Sequence, residues 1–265
     1  MFPGASAEPE GARYAILGAP LDATTSYRPG ARFGPDLIRG AARAQEDYDR
    51  RTDGLFSRRQ VHDAGDAVGD DDPASYLQFL ETEVRGHVLQ GRTPVLLGGE
   101  HTVSLAGVAA TEPATYVALD AHLDLRDTYR GREHSHATVC RRTLEAVDAA
   151  VVVGARSGSE DEWARASRAD VEVVEPDATA GWTPDLEEPI YLSVDIDVLD
   201  PGFAPGTGTP APFGLAPPTV RDLVGTLAPM AVGFDVVEVN DRDDGQAAAV
   251  AAALVRRFVH DHATA

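Results

Sequence analysis

The chain has 265 residues and not one lysine; all 23 of its basic side chains are arginine, set against 43 acids, for a formal net charge of −20. Phosphate backbones and anionic lipid surfaces need positive charge from a partner, so this balance argues against nucleic acid and membrane binding. It suits a cationic small molecule, and the missing lysine together with the excess acid points to a salt-rich cytoplasm. Cysteine is nearly absent too. Cys140 stands alone, which excludes an intrachain disulfide and fits a reducing compartment. No apolar run reaches the roughly 20 residues of a membrane span. Residues 1–13 are acidic and lack the basic flank and apolar core of a secretory signal. A cytoplasmic protein is the expectation.

What is present is a regular alternation. Short apolar runs at 13–18, 59–63, 94–97, 116–119, 151–154, 171–174, 191–195 and 232–239 read as strands. Between them lie helical segments at 36–43, 72–90, after Thr102, 138–146, after Ser159, 219–227 and 246–259. Ser159 and Glu162 match a capping box. Strands alternating with helices predict an α/β fold, a three-layer doubly wound parallel sheet of about eight strands. There is no repeat, low-complexity segment or linker, so residues 1–265 read as a single domain, with 1–12 as a flexible N-terminal segment.

Two stretches depart from ordinary strand composition. Residues 116–127 pass from an apolar run into Asp120, His122 and Asp124, and residues 190–200 do the same with Asp195 and Asp197. Positions i, i+2 and i+4 of a strand share a face, so each stretch predicts carboxylates gathered at a strand end. A third run ends in Gly98-Gly99-Glu100-His101, which places His101 just past a strand's C-terminus, where open α/β sheets put their ligands. Clustered carboxylates repel unless a cation neutralises them. Four carboxylates and two imidazoles are too many for one tetrahedral zinc. Oxygen-rich, thiolate-free ligation suits Mn²⁺, with Fe²⁺, Co²⁺ and Ni²⁺ compatible by ligand type. Carboxylates bridge readily, and an ion pair roughly 3.5–4 Å apart lowers the pKa of a shared water, which implies metal-assisted hydrolysis.

Glu238 ends an apolar strand and can hold a guanidinium through a bidentate pair, or pair with one of the chain's own arginines. His136 stands beside the acidic cluster and can move a proton to a leaving amine, or simply open the next helix. The terminal His260-Asp261-His262 reads as a solvated tail.

Three motifs, Gly98-Gly99-Glu100-His101, Asp120-Ala121-His122-Leu123-Asp124 and residues 193–201 (Ser-Val-Asp-Ile-Asp-Val-Leu-Asp-Pro), resemble the ureohydrolase family of arginases and agmatinases. The loop Pro205-Gly206-Thr207-Gly208-Thr209-Pro210 extends the third, and the element order agrees along nearly the whole chain. Residues 27–35 and Ser135-His136-Ala137-Thr138 are similar to the archaeal-type agmatinase branch. The resemblance implies an arginase-like fold with two Mn²⁺ per subunit. One ion would be held by His101, Asp120, Asp124 and Asp195, the other by His122, Asp120, Asp195 and Asp197, with Asp120 and Asp195 bridging. It implies His136, Glu238 and Asp124 as catalytic residues, with Glu238 and His136 meeting a small cationic guanidine. The reaction would be agmatine to putrescine and urea, a step toward polyamines. Guanidinobutyrate, arginine or formiminoglutamate are alternative substrates, and a non-catalytic metal-binding scaffold is the competing class. A homo-trimer or homo-hexamer is implied as well. Glu100, Phe213, His134 and residues 240–243 depart from the family pattern, the last three near the presumed substrate mouth.

If the acidic, lysine-free surface is an adaptation to salt, the thermal midpoint should rise steadily from low salt to molar KCl. A midpoint already full at low salt and flat thereafter, read by circular dichroism melts, would remove that reading.

Overall fold

Alternate side chains along each apolar run are buried on opposite faces, so every strand needs cover on both sides. The computed structural model describes residues 1–264. Its strands are β1 (Tyr14–Ala19), β2 (Val61–Asp66), β3 (Thr93–Gly98), β4 (Thr115–Leu119), β5 (Ala149–Val153), β6 (Val171–Val174), β7 (Ile190–Asp195) and β8 (Ala231–Val237). They pair in parallel in the spatial order β2-β1-β3-β8-β7-β4-β5-β6. The helices are α1 (Gly34–Ala42), α2 (Pro73–Val88), α3 (Ser104–Thr111), α4 (Val139–Thr143), α5 (Glu160–Ala166), α6 (Pro217–Leu227) and α7 (Gln246–His262). This is the expected doubly wound, eight-stranded parallel sheet between helical layers.

One face is covered by α1, α6 and α7, whose Ile38, Val220, Leu227 and Phe258 pack with Ile16, Val95, Leu97 and Phe234 of the sheet. The other face is covered in two sections. Tyr76, Leu80 and Ala106 of α2 and α3 meet Leu17 and Leu96, while Val139 and Cys140 of α4 meet Tyr116, Ala118, Val152 and Tyr191. Local signals set the helix ends. Asp72 caps α2 by accepting the Ser75 amide at 3.0 Å, Gly91 leaves it at φ 74°, and the Ser159–Glu162 capping box opens α5.

Three expectations are corrected. Residues 1–12 are not a loose lead. Phe2 is fully buried against Phe56, its amide bonds Asp63, and Ser6 bridges to His62. An aromatic side chain at position 2 gives even a short acidic segment enough apolar area to dock. The C-terminal His260-Asp261-His262 is not a solvated tail, because α7 runs on through it. His260 is buried, and His262 bonds Tyr14 Oη at 2.8 Å and the Ala231 carbonyl at 3.0 Å. The segment from Thr138 is shorter than predicted, a 3-10 turn (His136–Thr138) leading into the five-residue α4.

Two helical glycines sit in opposite environments. Gly86 of α2 has open space where a side chain would go, whereas a Cβ on Gly107 of α3 would overlap the buried Tyr191 hydroxyl. Alanine gains about 0.5–1 kcal/mol over glycine in a helix, but overpacking a core costs about 1–3 kcal/mol. Gly86→Ala should therefore raise stability and Gly107→Ala lower it, as compared by urea denaturation midpoints.

Candidate metal centre

The strand order places β3, β8, β7 and β4 side by side at the middle of the sheet, all parallel, with the last two strands of the chain inserted between β3 and β4. Every residue singled out as a ligand or substrate contact, His136 excepted, follows or ends one of these four strands. The register brings them level. Leu119 pairs with Val194, and Val237 with Asp195, so Asp120, Asp195 and Glu238 leave the sheet at one height.

The convergence is not produced by strand alternation, as the sequence spacing suggested. β4 stops at Leu119 and β7 at Asp195. Beyond them the chain turns, and the carboxylates help to make the turns. Asp120 accepts the His122 amide at 2.6 Å, and Asp195 accepts the Asp197 amide at 2.9 Å as cap of the 3-10 turn Ile196–Val198. Asp124 and Glu238 adopt left-handed backbone, φ 50° and 63°, a conformation that is strained for these residues and gathers at functional sites.

His101 Nδ1 lies 3.0 Å from Asp120 Oδ2, 3.0 Å from Asp124 Oδ2 and 3.7 Å from Asp195 Oδ2. Its other nitrogen, Nε2, is within bonding distance of Tyr116 Oη (2.9 Å) and Ser193 Oγ (3.1 Å), which hold the ring with Nδ1 toward the carboxylates. His122 Nδ1 is 3.0 Å from Asp197 Oδ2 and 3.7 Å from Asp120 Oδ1. Donor atoms of His101, Asp120 and Asp124, and separately of Asp120, His122 and Asp197, all lie within 4.8 Å of one another. Asp120 belongs to both groups.

With protein groups alone, the charges are poorly balanced. Burial and the neighbouring Asp197 and Asp120 push Asp195 well above the usual carboxylate range, and burial with Asp120 raises Asp124 to about 7. Burial opposes charge on His122, yet Asp197 and Asp120 outweigh it and raise that imidazole to about 12. Anions are crowded enough to hold protons that a cation would replace. The donor set, oxygen and imidazole without thiolate, fits a pair of borderline-to-hard divalent ions. Cys140 lies behind it in the apolar layer, its thiol raised by burial.

The centre opens into a cleft of about 320 Å³ lined by Ser26, Arg126, Tyr129, His136, Ser157, Thr209 and Glu238 among others. Glu238 Oε1 accepts the His101 amide at 2.9 Å. Burial and then Glu100 raise Glu238 to about 8, and a cation bound beside it would favour the ionised form by removing that cost. His136 is lowered to about 4 by burial, then by His122 and His101, and is a neutral imidazole. It does open a 3-10 turn, with Ser135 as cap, so its structural and cleft-facing positions coincide. Phe213, His134 and Asn240 do not line this cleft. Phe213 is 85% exposed at φ 65°, where a glycine would sit without strain.

Sequence reasoning passed over several supports. Arg156, just past β5, donates to the carbonyls of Asp197 (2.8 Å), Val198 (3.2 Å) and Leu199 (3.3 Å) and to those of Ala211 (2.8 Å) and Pro212 (3.0 Å). It thereby clamps the Asp197 turn to the proline-rich loop. Thr24 and Ser26 follow β1 and reach His136. Each lies beyond a strand's C-terminus, and that position was the signal available.

Residues 12–260 match the Arginase family. The agmatinase of Pyrococcus horikoshii is 39% identical over 258 residues, covering 94% of this chain and 91% of the relative. The N(1)-aminopropylagmatine ureohydrolase of Thermococcus kodakarensis is 40% identical, with 93% and 89% covered. The crystal structure of agmatine ureohydrolase of Thermoplasma volcanium superposes with a TM-score of 0.92 at 33% identity, covering 98% of this chain and 93% of that one. Fold, rim and sequence kinship agree: the chain belongs to the arginase family, among ureohydrolases of the agmatinase type.

Proposed function

We propose that this protein is a binuclear-manganese hydrolase that cleaves the guanidinium of agmatine to putrescine and urea. The observation that carries the reading is the meeting, at one buried rim, of four aspartates and two histidines beside a glutamate that lines the same cleft. The names of the archaeal relatives support agmatine as substrate. His101, Asp120, Asp124 and Asp195 would hold one ion, and His122, Asp120, Asp195 and Asp197 the other. When bound, the ions supply a water ionised near neutral pH.

The remaining work falls to the chain itself. A guanidinium carbon is a weak electrophile because its charge is delocalised, so it must be held still. Glu238 provides the anion, fixed through the His101 amide, and the buried site makes that pair stronger than it would be in water. Asp124, left-handed and hydrogen-bonded to His101, faces the cleft and can accept a hydrogen bond from the attacking water. His136, neutral and cleft-lining, takes a proton and returns it to the departing amine as the C–N bond breaks. We further propose a cytoplasmic, salt-adapted homo-trimer or homo-hexamer.

A urea-release assay on the Mn²⁺-loaded protein tests the substrate. Across agmatine, arginine, guanidinobutyrate and formiminoglutamate, with formamide recorded in place of urea for the last, agmatine should give the highest kcat/KM. Another compound in first place would replace the assignment within the class, and no product from any would leave a metal-binding scaffold.

Two substitutions separate the roles. Asp120→Ala removes the carboxylate common to both ligand groups, so metal analysis should find fewer than two ions per chain. Glu238→Gln should keep both ions while kcat/KM falls by roughly two orders of magnitude, the scale of a lost charge-assisted pair at about 1.5–3 kcal/mol. Wild-type kinetics for that variant would take the guanidinium away from Glu238.

A further inference from the structure

Glu100 precedes His101 but turns away from the aspartates. It is fully buried. Its Oε2 accepts the Thr24 amide at 2.7 Å, and its Oε1 accepts the Thr24 hydroxyl at 2.7 Å and the Thr102 hydroxyl at 2.7 Å. Thr24 comes from the loop after β1, more than seventy residues earlier in the chain, and it is buried as well. On its far side it meets His136. The His136 amide donates to Thr24 Oγ1 at 3.1 Å, and His136 Nδ1 lies 3.2 Å from the same oxygen. His136 Nε2 lies 3.1 Å from Ser26 Oγ, at the cleft wall.

Counting donors and acceptors resolves the direction of these bonds. A threonine hydroxyl has one proton and two lone pairs. The proton goes to Glu100, which meets only donors here: the Thr24 amide at Oε2 and the Thr24 and Thr102 hydroxyls at Oε1. One lone pair takes the His136 amide, which can only donate. The second lone pair faces Nδ1 at 3.2 Å and is placed to receive its proton; Ser135 Oγ, at 3.4 Å, is the more distant neighbour of that nitrogen. We propose that Glu100 and Thr24 are positioning residues for His136, fixing its ring and its Nδ1–H tautomer so that Nε2 is the nitrogen presented to the cleft. Ser26 donates to Nε2 and can swing aside. The inference rests on the reading of His136 as the residue that moves a proton. The proton gained at Nε2 is the one later given to the departing amine, and Nδ1 keeps its own throughout, so the arrangement balances without any further partner. It also gives the carboxylate at position 100 a reason unconnected with metal, namely that it must reach Thr24.

Two measurements test it, one of them independent of turnover. Long-range ¹H–¹⁵N spectra of the histidine-labelled full chain, loaded with diamagnetic Zn²⁺, should show His136 protonated at Nδ1 in the wild type and mixed or reversed in Thr24→Val. A wild-type ring protonated at Nε2 would overturn the proposal whether or not any guanidine is hydrolysed. In kinetics, Thr24→Val keeps the side-chain shape and removes the hydroxyl. It should lower kcat by roughly tenfold to a hundredfold, a part of what general acid–base catalysis supplies, with KM within about twofold and metal content intact. Thr24→Ser should restore most of the loss, and Glu100→Gln should lower kcat in the same manner as Thr24→Val. Wild-type kcat in Thr24→Val, or a Thr24→Ser variant as impaired as Thr24→Val, would overturn it.

Discussion

Buried carboxylates repel, and at the rim of this sheet that repulsion is the constraint around which everything else is arranged. Two unit charges about 4 Å apart interact by about 4 kcal/mol even in the screened interior of a protein, and a whole domain is stable by only about 5–15 kcal/mol. Asp120, Asp124, Asp195 and Asp197 are all buried together, with two imidazoles as the only direct countercharges among the described residues. Such a set is tolerable as a receptor for divalent cations and unfavourable as plain core. The cost is met structurally by the rest of the fold, whose apolar layers on both faces of an eight-stranded sheet supply far more area than the rim removes.

The rim is held in place by polar contacts that are not themselves ionic. Arg156 spends its guanidinium on backbone carbonyls of the Asp197 turn and the following loop. Tyr116 and Ser193 orient His101 from behind. Close approach supplies the remainder. A Cβ on Gly99 would run into the Leu21 backbone, and one on Gly208 would come within 3.0 Å of Glu238 Oε2. Left-handed backbone at Asp124 and Glu238 is the local cost of aiming two carboxylates from turns rather than from strands.

Much of this was legible because strand and helix signals are periodic. The parallel sheet, most helix positions and the three acidic motifs follow from residue spacing alone. The way in which the ligands meet does not. Alternation along a strand was the natural reading of Asp120-x-His122-x-Asp124, but the strand ends at Leu119, and side chains bonding their own backbone bend the chain instead. Spacing cannot distinguish these two cases, since both leave every second residue polar. Phe2 and His260 were misread for a related reason. Position near a terminus suggests solvent, whereas burial depends on whether a large side chain finds a groove. Thr24, Ser26 and Arg156 were missed because single polar residues in loops carry no pattern. Only knowing which loops share a rim picks them out.

The cleft is built from two kinds of element. The candidate ligands and Glu238 sit at the ends of four adjacent strands, where the sheet fixes their spacing. The groups farther out are of a different kind. Arg126 follows β4 on an irregular segment, bonded to Glu162 at 3.2 Å and lying 5.3 Å over the Tyr129 ring, while Ser157 follows β5. Arg126 lies outside the strand ladder, on a surface segment of the kind that varies most readily, whereas the Ser157 backbone is tied to Ala121 (3.0 Å) and Leu123 (3.3 Å) beside the candidate ligands. Relatives that match along most of the chain are named for agmatine, aminopropylagmatine and proclavaminate. In this chain that outer wall pairs one arginine with one glutamate and an aromatic ring, a neutral balance on its own. The electrostatic attraction for a cation therefore comes from the depth of the cleft, at Glu238 and the aspartates. For the substrate proposed above, that would draw the guanidinium end inward first and leave the tail to be judged by shape.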